Sequence, residues 1–314
     1  MTVTSDTEQD QFLRDVLEGL SNIPKSVNSK YFYDKFGSDL FNQITELEEY
    51  YPTRTEISIL NTYGPQIAKE IGRQTVLLEY GSGSLKKMKI LLNFLEDVSA
   101  LCPIDIAEGE LQVASSKIKA LFPKIIVNPI IGDFTKDINV DLSMWPDNRR
   151  VGVFFGSTIG NFTPKNIVSC LNVIAKTLGR DGMLLIGVDL KKEDKILTGA
   201  YNDQRGVTAR FNKNLLVRIN RELGANFDLN KFRHRAFYNK NEGRIEMHLE
   251  SLTAHNVNIC GRDFFFSVSE SIHTENSYKF SITDFQVLAA KAGFSPVNFW
   301  TDQRQLYSLH LLVL

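Results

Sequence analysis

Residues 75–95, TVLLEYGSGSLKKMKILLNFL, decide the fold class of this chain. The first six form a short apolar run closed by glycine, the pattern of a fully buried strand. Gly81-Ser82-Gly83-Ser84 follows as a tight turn. Leu85, Met88, Leu91, Leu92 and Leu95 then recur at helical spacing, so an amphipathic helix comes next. A strand, a G-x-G turn and a helix place backbone close to a ligand at a helix N-terminus.

Reading outward, the alternation continues. Residues 100–106 form a second strand ending near Asp105, and 109–121 a helix. Residues 124–131 (KIIVNPII) form a third strand closed by Gly132-Asp133-Phe134. Residues 150–155 form a fourth, followed by Gly156-Ser157-Thr158-Ile159-Gly160-Asn161. Thr163-Pro164 is a good helix start, with Thr as N-cap and Pro in the first turn. Residues 183–190 form a fifth strand. This rhythm predicts a parallel sheet with helices on both faces. It stops near residue 190. An amphipathic helix spans 207–223 and ends at Gly224. Ile245, Met247 and Leu249 then alternate with Glu246, His248 and Glu250, which predicts a half-buried strand. Asn239–Gly243 and Gly261-Arg262-Asp263 are hairpin-turn candidates, so this module is antiparallel. The last residues return to the first style, with a helix over 283–292 closing at Gly293 and two strands, NFWTD and LYSLHLLVL.

Composition narrows the function. The chain has 314 residues and a net charge of −1, with 43% hydrophobic and 23% charged residues, which suits a soluble globular protein of about two domains. No stretch approaches the ~18 uncharged apolar residues of a membrane span. The balanced charge argues against nucleic acid or anionic lipid as the main partner. Three isolated cysteines, Cys102, Cys170 and Cys260, fit a reducing compartment, and no CxxC or His pair stands at ligand spacing, so no metal is expected. The first residues show no basic segment followed by an apolar one, so the cytoplasm is the expected location.

The consecutive strand ends point to a nucleoside. Asp105 sits 22 residues after Gly83, where an acid can take both ribose hydroxyls. Asp133 and Phe134 close the next strand, where a carboxylate can accept an adenine amino group while the ring contacts the base. The dinucleotide fingerprint G-x-G-x-x-G fails here, because Lys86 stands where the third glycine belongs. S-adenosylmethionine (SAM), which has no pyrophosphate, suits the shorter G-x-G.

These residues belong to a wider pattern. FYDKFGSDLFNQITELEEYYPTRTE (32–56), GSGSLKK (81–87), IGDF (131–134), FFGSTIGNF (154–162), AYND (200–203), VTARFNKN (207–214), RIEMHL (244–249) and HTENSYKF (273–280) resemble, in order and spacing, the histidine-specific SAM-dependent Nα-methyltransferases of ergothioneine biosynthesis. The resemblance runs from about residue 25 to the C-terminus. It implies the seven-stranded, Rossmann-like α/β sheet of class I methyltransferases, built from 56–190 and 280–314, with a second α+β substrate-binding domain of 1–55 and 191–279 inserted. It implies trimethylation of the α-amino group of L-histidine to hercynine, passing through the mono- and dimethylated forms, with S-adenosylhomocysteine as by-product; a monomer is expected. A member that has moved to another amino acid, such as tryptophan, is the alternative.

The resemblance also carries residues. Tyr33, Gly81, Lys87, Asp105, Asp133 and Phe134 match positions that contact SAM. Tyr50, Asn161 and Tyr201 match those holding the amino-acid backbone groups, with Asn161 and Tyr50 as the catalytic pair. Glu275 and Ser277 match the pair gripping the imidazole, and Met247 lines the same side-chain pocket. Ser157 departs from a second glycine expected in the FxGGTIGN loop, and Tyr80 stands where leucine is expected. Read without the resemblance, Tyr50 and Tyr201 are aromatic core, Glu275 and Ser277 a solvated polar edge, and Lys86-Lys87 and Lys191–Lys195 solvated helix faces. His248, His255 and His310 read as structural.

Overall fold

The computed structural model describes residues 8–83 and 85–314; Ser84 of the glycine loop and residues 1–7, including the start of the N-terminal segment, lie outside the described residues. The chain divides into two compact units. The first comprises Met1–Tyr51 and Lys192–Ser277, the second Pro52–Lys191 and Tyr278–Leu314.

Following the chain, α1 (Glu8–Ser21) and α2 (Lys35–Thr45) open the first unit. Asp34 caps α2 by accepting from Gly37 N–H. A side chain at Gly37 would overlap the Phe32 carbonyl, which is why FYDKFG carries glycine there. Helix α3 (Tyr51–Ile71) leads into the second unit. There the expected alternation is realised as β1 (Thr75–Tyr80), α4 (Leu85–Phe94), β2 (Val98–Asp105), α5 (Glu108–Leu121), β3 (Ile126–Val127), β4 (Ile130–Ile131), β5 (Arg149–Phe154), α6 (Pro164–Leu178) and β6 (Met183–Asp189). All six residues of β1 and all seven of β6 are buried, as continuous apolar runs in a doubly covered sheet should be. Thr163 caps α6 with Pro164 at its first position.

The third strand differs from expectation. The run 124–131 is broken into two two-residue pieces around Pro129, which has no N–H to give a ladder. Both pieces pair in parallel with β2.

The chain then returns to the first unit with α7 (Asp194–Tyr201) and α8 (Val207–Leu223). Asp203 receives the N–H groups of Val207 and Thr208, and left-handed Gly224 (φ 61°) ends α8. Strands β7 (Phe232–Asn239), β8 (Arg244–Ser251), β9 (His255–Ile259), β10 (Arg262–Phe266) and β11 (Ser271–Tyr278) follow. They pair as β11-β8-β7 and β10-β9. The second hairpin turns at Cys260-Gly261 (φ 49° and 83°), so Arg262 and Asp263 already belong to β10. The alternation in β8 does not make a half-buried strand. Glu246 and Glu250 are as buried as their apolar neighbours, because each is matched by arginine.

Helix α9 (Ile282–Ala290) starts one residue earlier than a Thr283 start, because Ser281 and Asp284 form a capping box, and it stops short of Ala292. Strands β12 (Ser295–Thr301) and β13 (Tyr307–Val313) complete the second unit. Among the described residues its sheet runs β12-β13-β6-β5-β1-β2-β3, with β4 also on β2. Strands β1 to β6 are parallel, and the terminal pair is antiparallel. This α/β order, with a C-terminal antiparallel strand pair, is the one the resemblance implied. No helix among the described residues is long and apolar enough to cross a membrane.

Candidate active site

In the second unit the expected nucleoside residues stand at the carboxyl ends of β1, β2 and β4, where ligands bind in open α/β sheets. Gly81 has φ 79°, a conformation that favours glycine, and a side chain there would come within 3.9 Å of the Phe134 ring. Asp105 accepts from the Ser82 N–H (2.9 Å) and hydroxyl (3.3 Å) with one oxygen and from Ala107 N–H (3.0 Å) with the other. The loop and the acid are therefore one hydrogen-bonded piece. Asp133 is oriented by Thr135 N–H at 3.0 Å. Phe134 is held edge-on by Tyr80 and Phe154, at ring distances of 6.4 and 5.3 Å. A pre-oriented carboxylate, a fixed ring and a turn headed by a left-handed glycine suit adenosine. Lys87 is no solvated lysine. Its side chain is 6% exposed and its ammonium lies 2.7 Å from the Glu56 carboxylate, whereas Lys86 faces solvent.

Asn161 ends a 3-10 turn, Thr158–Asn161, after β5. Ser157 opens that turn with φ 56°, and its hydroxyl accepts from Asp189 N–H at 2.9 Å. The departure from glycine thus supplies a hydrogen bond at a position whose left-handed backbone favours glycine. A side chain at Gly160 would press on the Tyr278 carbonyl, so the turn is closely packed.

In the first unit Tyr50 and Tyr201 meet edge to face at 6.2 Å. The Tyr201 hydroxyl lies 2.7 Å from Ser277 Oγ, both groups buried. Met247 is buried on β8, and its carbonyl accepts from Thr274. Glu275 is half-buried on β11. Its carbonyl meets His273 Nε2 at 3.0 Å, so that nitrogen carries the proton. Tyr33 lies in this unit, unlike the other five cofactor candidates, with its ring edge-on to Phe41 and Phe211. The structure thus gathers Tyr50, Tyr201 and Ser277 in one unit, and Gly81, Asp105 and Phe134 in the other.

The sequence model of a family described as histidine-specific, SAM-dependent methyltransferases matches residues 12–314. The chain belongs to this family. It is 41% identical to a histidine N-alpha-methyltransferase of Mycolicibacterium smegmatis, over 99% of this chain and 97% of that protein. A histidine N-alpha-methyltransferase of Mycobacterium tuberculosis is 38% identical over 95% of this chain and 93% of its own. Ergothioneine biosynthesis protein 1 of Schizosaccharomyces pombe is 29% identical over 90% of this chain, which corresponds to 38% of that longer protein.

This histidine-specific methyltransferase contains buried polar groups that the sequence reading passed over. Glu79, the one acid in β1, has its carboxyl pushed up to about 8 by burial; Lys87 opposes the rise and Asp105 adds to it. Its sequence signal was a lone charge in an apolar strand. Two asparagines of VTARFNKN join separate segments of the first unit. Buried Asn212 donates to the His248 carbonyl and meets His234 Nδ1, and it accepts from Thr274; Asn214 donates to Asp34.

Glu246, His248 and His273 bring ligand-type atoms within 4.8 Å of one another. No spacing rule could find them, because the imidazoles sit on different strands. The two rings stack at 4.6 Å and 12°, and His248 also stacks on Phe237. Both His248 nitrogens are engaged, with Ser271 and with Glu246. Parallel rings aim their lone pairs side by side rather than at one point, so the geometry is that of a stacked platform. Burial alone would raise the Glu246 carboxyl, but hydrogen bonds from His248, Arg244 and Asn239 hold it down at about 2.

Proposed function

We propose that this histidine methyltransferase acts on the α-amino group of free L-histidine and transfers three methyl groups in succession, giving hercynine, a step of ergothioneine biosynthesis. SAM supplies an electrophilic methyl group, so the chemistry calls for no metal. The observation that carries the substrate reading is the buried Tyr201–Ser277 hydroxyl pair with Tyr50 edge-on to Tyr201. A buried hydroxyl pair in an aromatic setting suits hydrogen bonding to one imidazole and its backbone groups.

In this reading Gly81, Asp105, Asp133 and Phe134 receive the adenosine, and Lys87 and Tyr33 complete the cofactor contacts. Tyr50, Tyr201 and Asn161 hold the amine and carboxylate. Glu275 and Ser277 take the two imidazole nitrogens, and Met247 lines the pocket. Methyl transfer is an in-line displacement that mainly needs positioning. The α-ammonium must first lose its proton, and desolvation beside a sulfonium charge favours the neutral amine. An amide such as Asn161 offers both acceptor and donor, so it can orient the amine without retaining the proton. Three isolated cysteines support our reading of a cytoplasmic enzyme, and we propose that it acts as a monomer.

Incubation with SAM and a pool of all amino acids, followed by mass spectrometry, tests the reading. The expected products are histidine heavier by about 14, 28 and 42 Da, the increments of one, two and three methylations. Labelled tryptophan or another amino acid, with histidine untouched, would replace the substrate assignment.

A further inference from the structure

Glu56, on α3, has a fully buried carboxylate that receives donors from three distant segments. The Lys87 ammonium reaches Oε2 at 2.7 Å. The Gly156 N–H is shared between both oxygens at 3.1 and 3.0 Å. The Tyr307 hydroxyl donates to Oε1 at 3.0 Å. Space for the carboxylate is built into the sheet: a side chain at Gly187, in the middle of β6, would overlap both Oε1 and the Tyr307 hydroxyl. Gly156, left-handed at φ 82°, heads the loop that ends at Asn161.

We propose that Glu56 is a positioning residue for methyl transfer. One buried carboxylate fixes the Lys87 ammonium on the cofactor side and the backbone at the head of the Asn161 loop, so the two are kept in register by a single anion. This rests on the assignment of Lys87 to the cofactor and Asn161 to the substrate. A carboxylate is required because two acceptor oxygens serve three donors; a neutral amide in its place offers one acceptor oxygen and sets an N–H against the others.

The test compares Glu56→Gln, Glu56→Asp and Lys87→Met in the full chain. The measurements are thermal melting, S-adenosylhomocysteine and histidine affinities by calorimetry, and initial rates against SAM and histidine. Folded Glu56→Gln is expected to lose about 10²-fold in kcat, the scale of a misplacement of about 1 Å, and to raise the KM for SAM about tenfold. Histidine Kd should weaken less than kcat falls, because Tyr201, Glu275 and Ser277 lie in the other unit and only the Asn161 contact is disturbed. Glu56→Asp, which keeps the charge, should recover about tenfold of the lost kcat. A kcat that merely follows the folded fraction, with KM for SAM unchanged, overturns the proposal. If Glu56→Gln does not fold, folded Glu56→Asp must still lose about tenfold in kcat and raise the KM for SAM, or the proposal is overturned. Wild-type cofactor affinity in Lys87→Met refutes the assignment of Lys87 beneath it. Weakened affinity in Lys87→Met beside wild-type behaviour in Glu56→Gln refutes Glu56 alone.

Discussion

Ser157 sets two backbone effects against each other, and their sizes order two substitutions. Its left-handed backbone (φ 56°) costs a residue with a side chain about 1–2 kcal/mol. Its hydroxyl accepts from Asp189 N–H at 2.9 Å, where both residues are buried. Ser157→Ala keeps the strain and orphans that N–H, a loss of about 1–3 kcal/mol. Ser157→Gly orphans the same N–H but relieves the strain, offset by about 0.5–1 kcal/mol for the greater freedom of glycine in the unfolded chain. The glycine variant should therefore lie about 0.5–1 kcal/mol above the alanine variant and still below the wild type, since the lost bond exceeds the net relief. Urea unfolding followed by tryptophan fluorescence reads the right part of the molecule, because Trp145 and Trp300 both belong to the second unit. Equal slopes are expected, with midpoints falling from wild type to Ser157→Gly to Ser157→Ala. An alanine variant as stable as the wild type would show that the Asp189 bond contributes nothing. A glycine variant below the alanine variant would refute the strain argument.

Three further outcomes follow from the site and the core. Glu275→Ala should weaken histidine binding about 10²-fold, the scale of a charge-assisted hydrogen bond worth 2–3 kcal/mol. Calorimetry should show S-adenosylhomocysteine binding retained, and unchanged histidine affinity would sink the imidazole assignment. Asn161→Ala should cut turnover while leaving cofactor affinity intact; wild-type turnover would remove Asn161 from the reaction. Burial holds the His310 imidazole down at about 4, against an ordinary 6.5. The unfolded chain therefore takes up that proton first, and stability complete above pH 6.5 is lost as pH falls towards 4, by about 3 kcal/mol in all. His234, His248 and His273 are lowered by burial in the same direction. His310→Gln should flatten the fall in urea midpoint between pH 7 and 4.5, and an unaltered slope would exclude His310 as a source.

What the amino-acid sequence by itself determined was local. Apolar runs such as TVLLEY, the helical spacing after the glycine turn, the Thr163 cap and the Gly224 stop act over a few residues, and each became the element expected. The family, and with it the chemistry of the site, was legible because motif order along a chain is a one-dimensional property. The tertiary structure decided the fate of the charges. Glu246 and Glu250 read as a solvated face until arginines on the same sheet covered them. Lys87 read as half of a surface pair until Glu56 drew it inside. A buried charge is tolerable only beside its partner, and the donors gathered on Glu56 lie 31, 100 and 251 residues away from it. No pattern of spacing encodes such a meeting; it exists only once two helices, a loop and a strand have packed together.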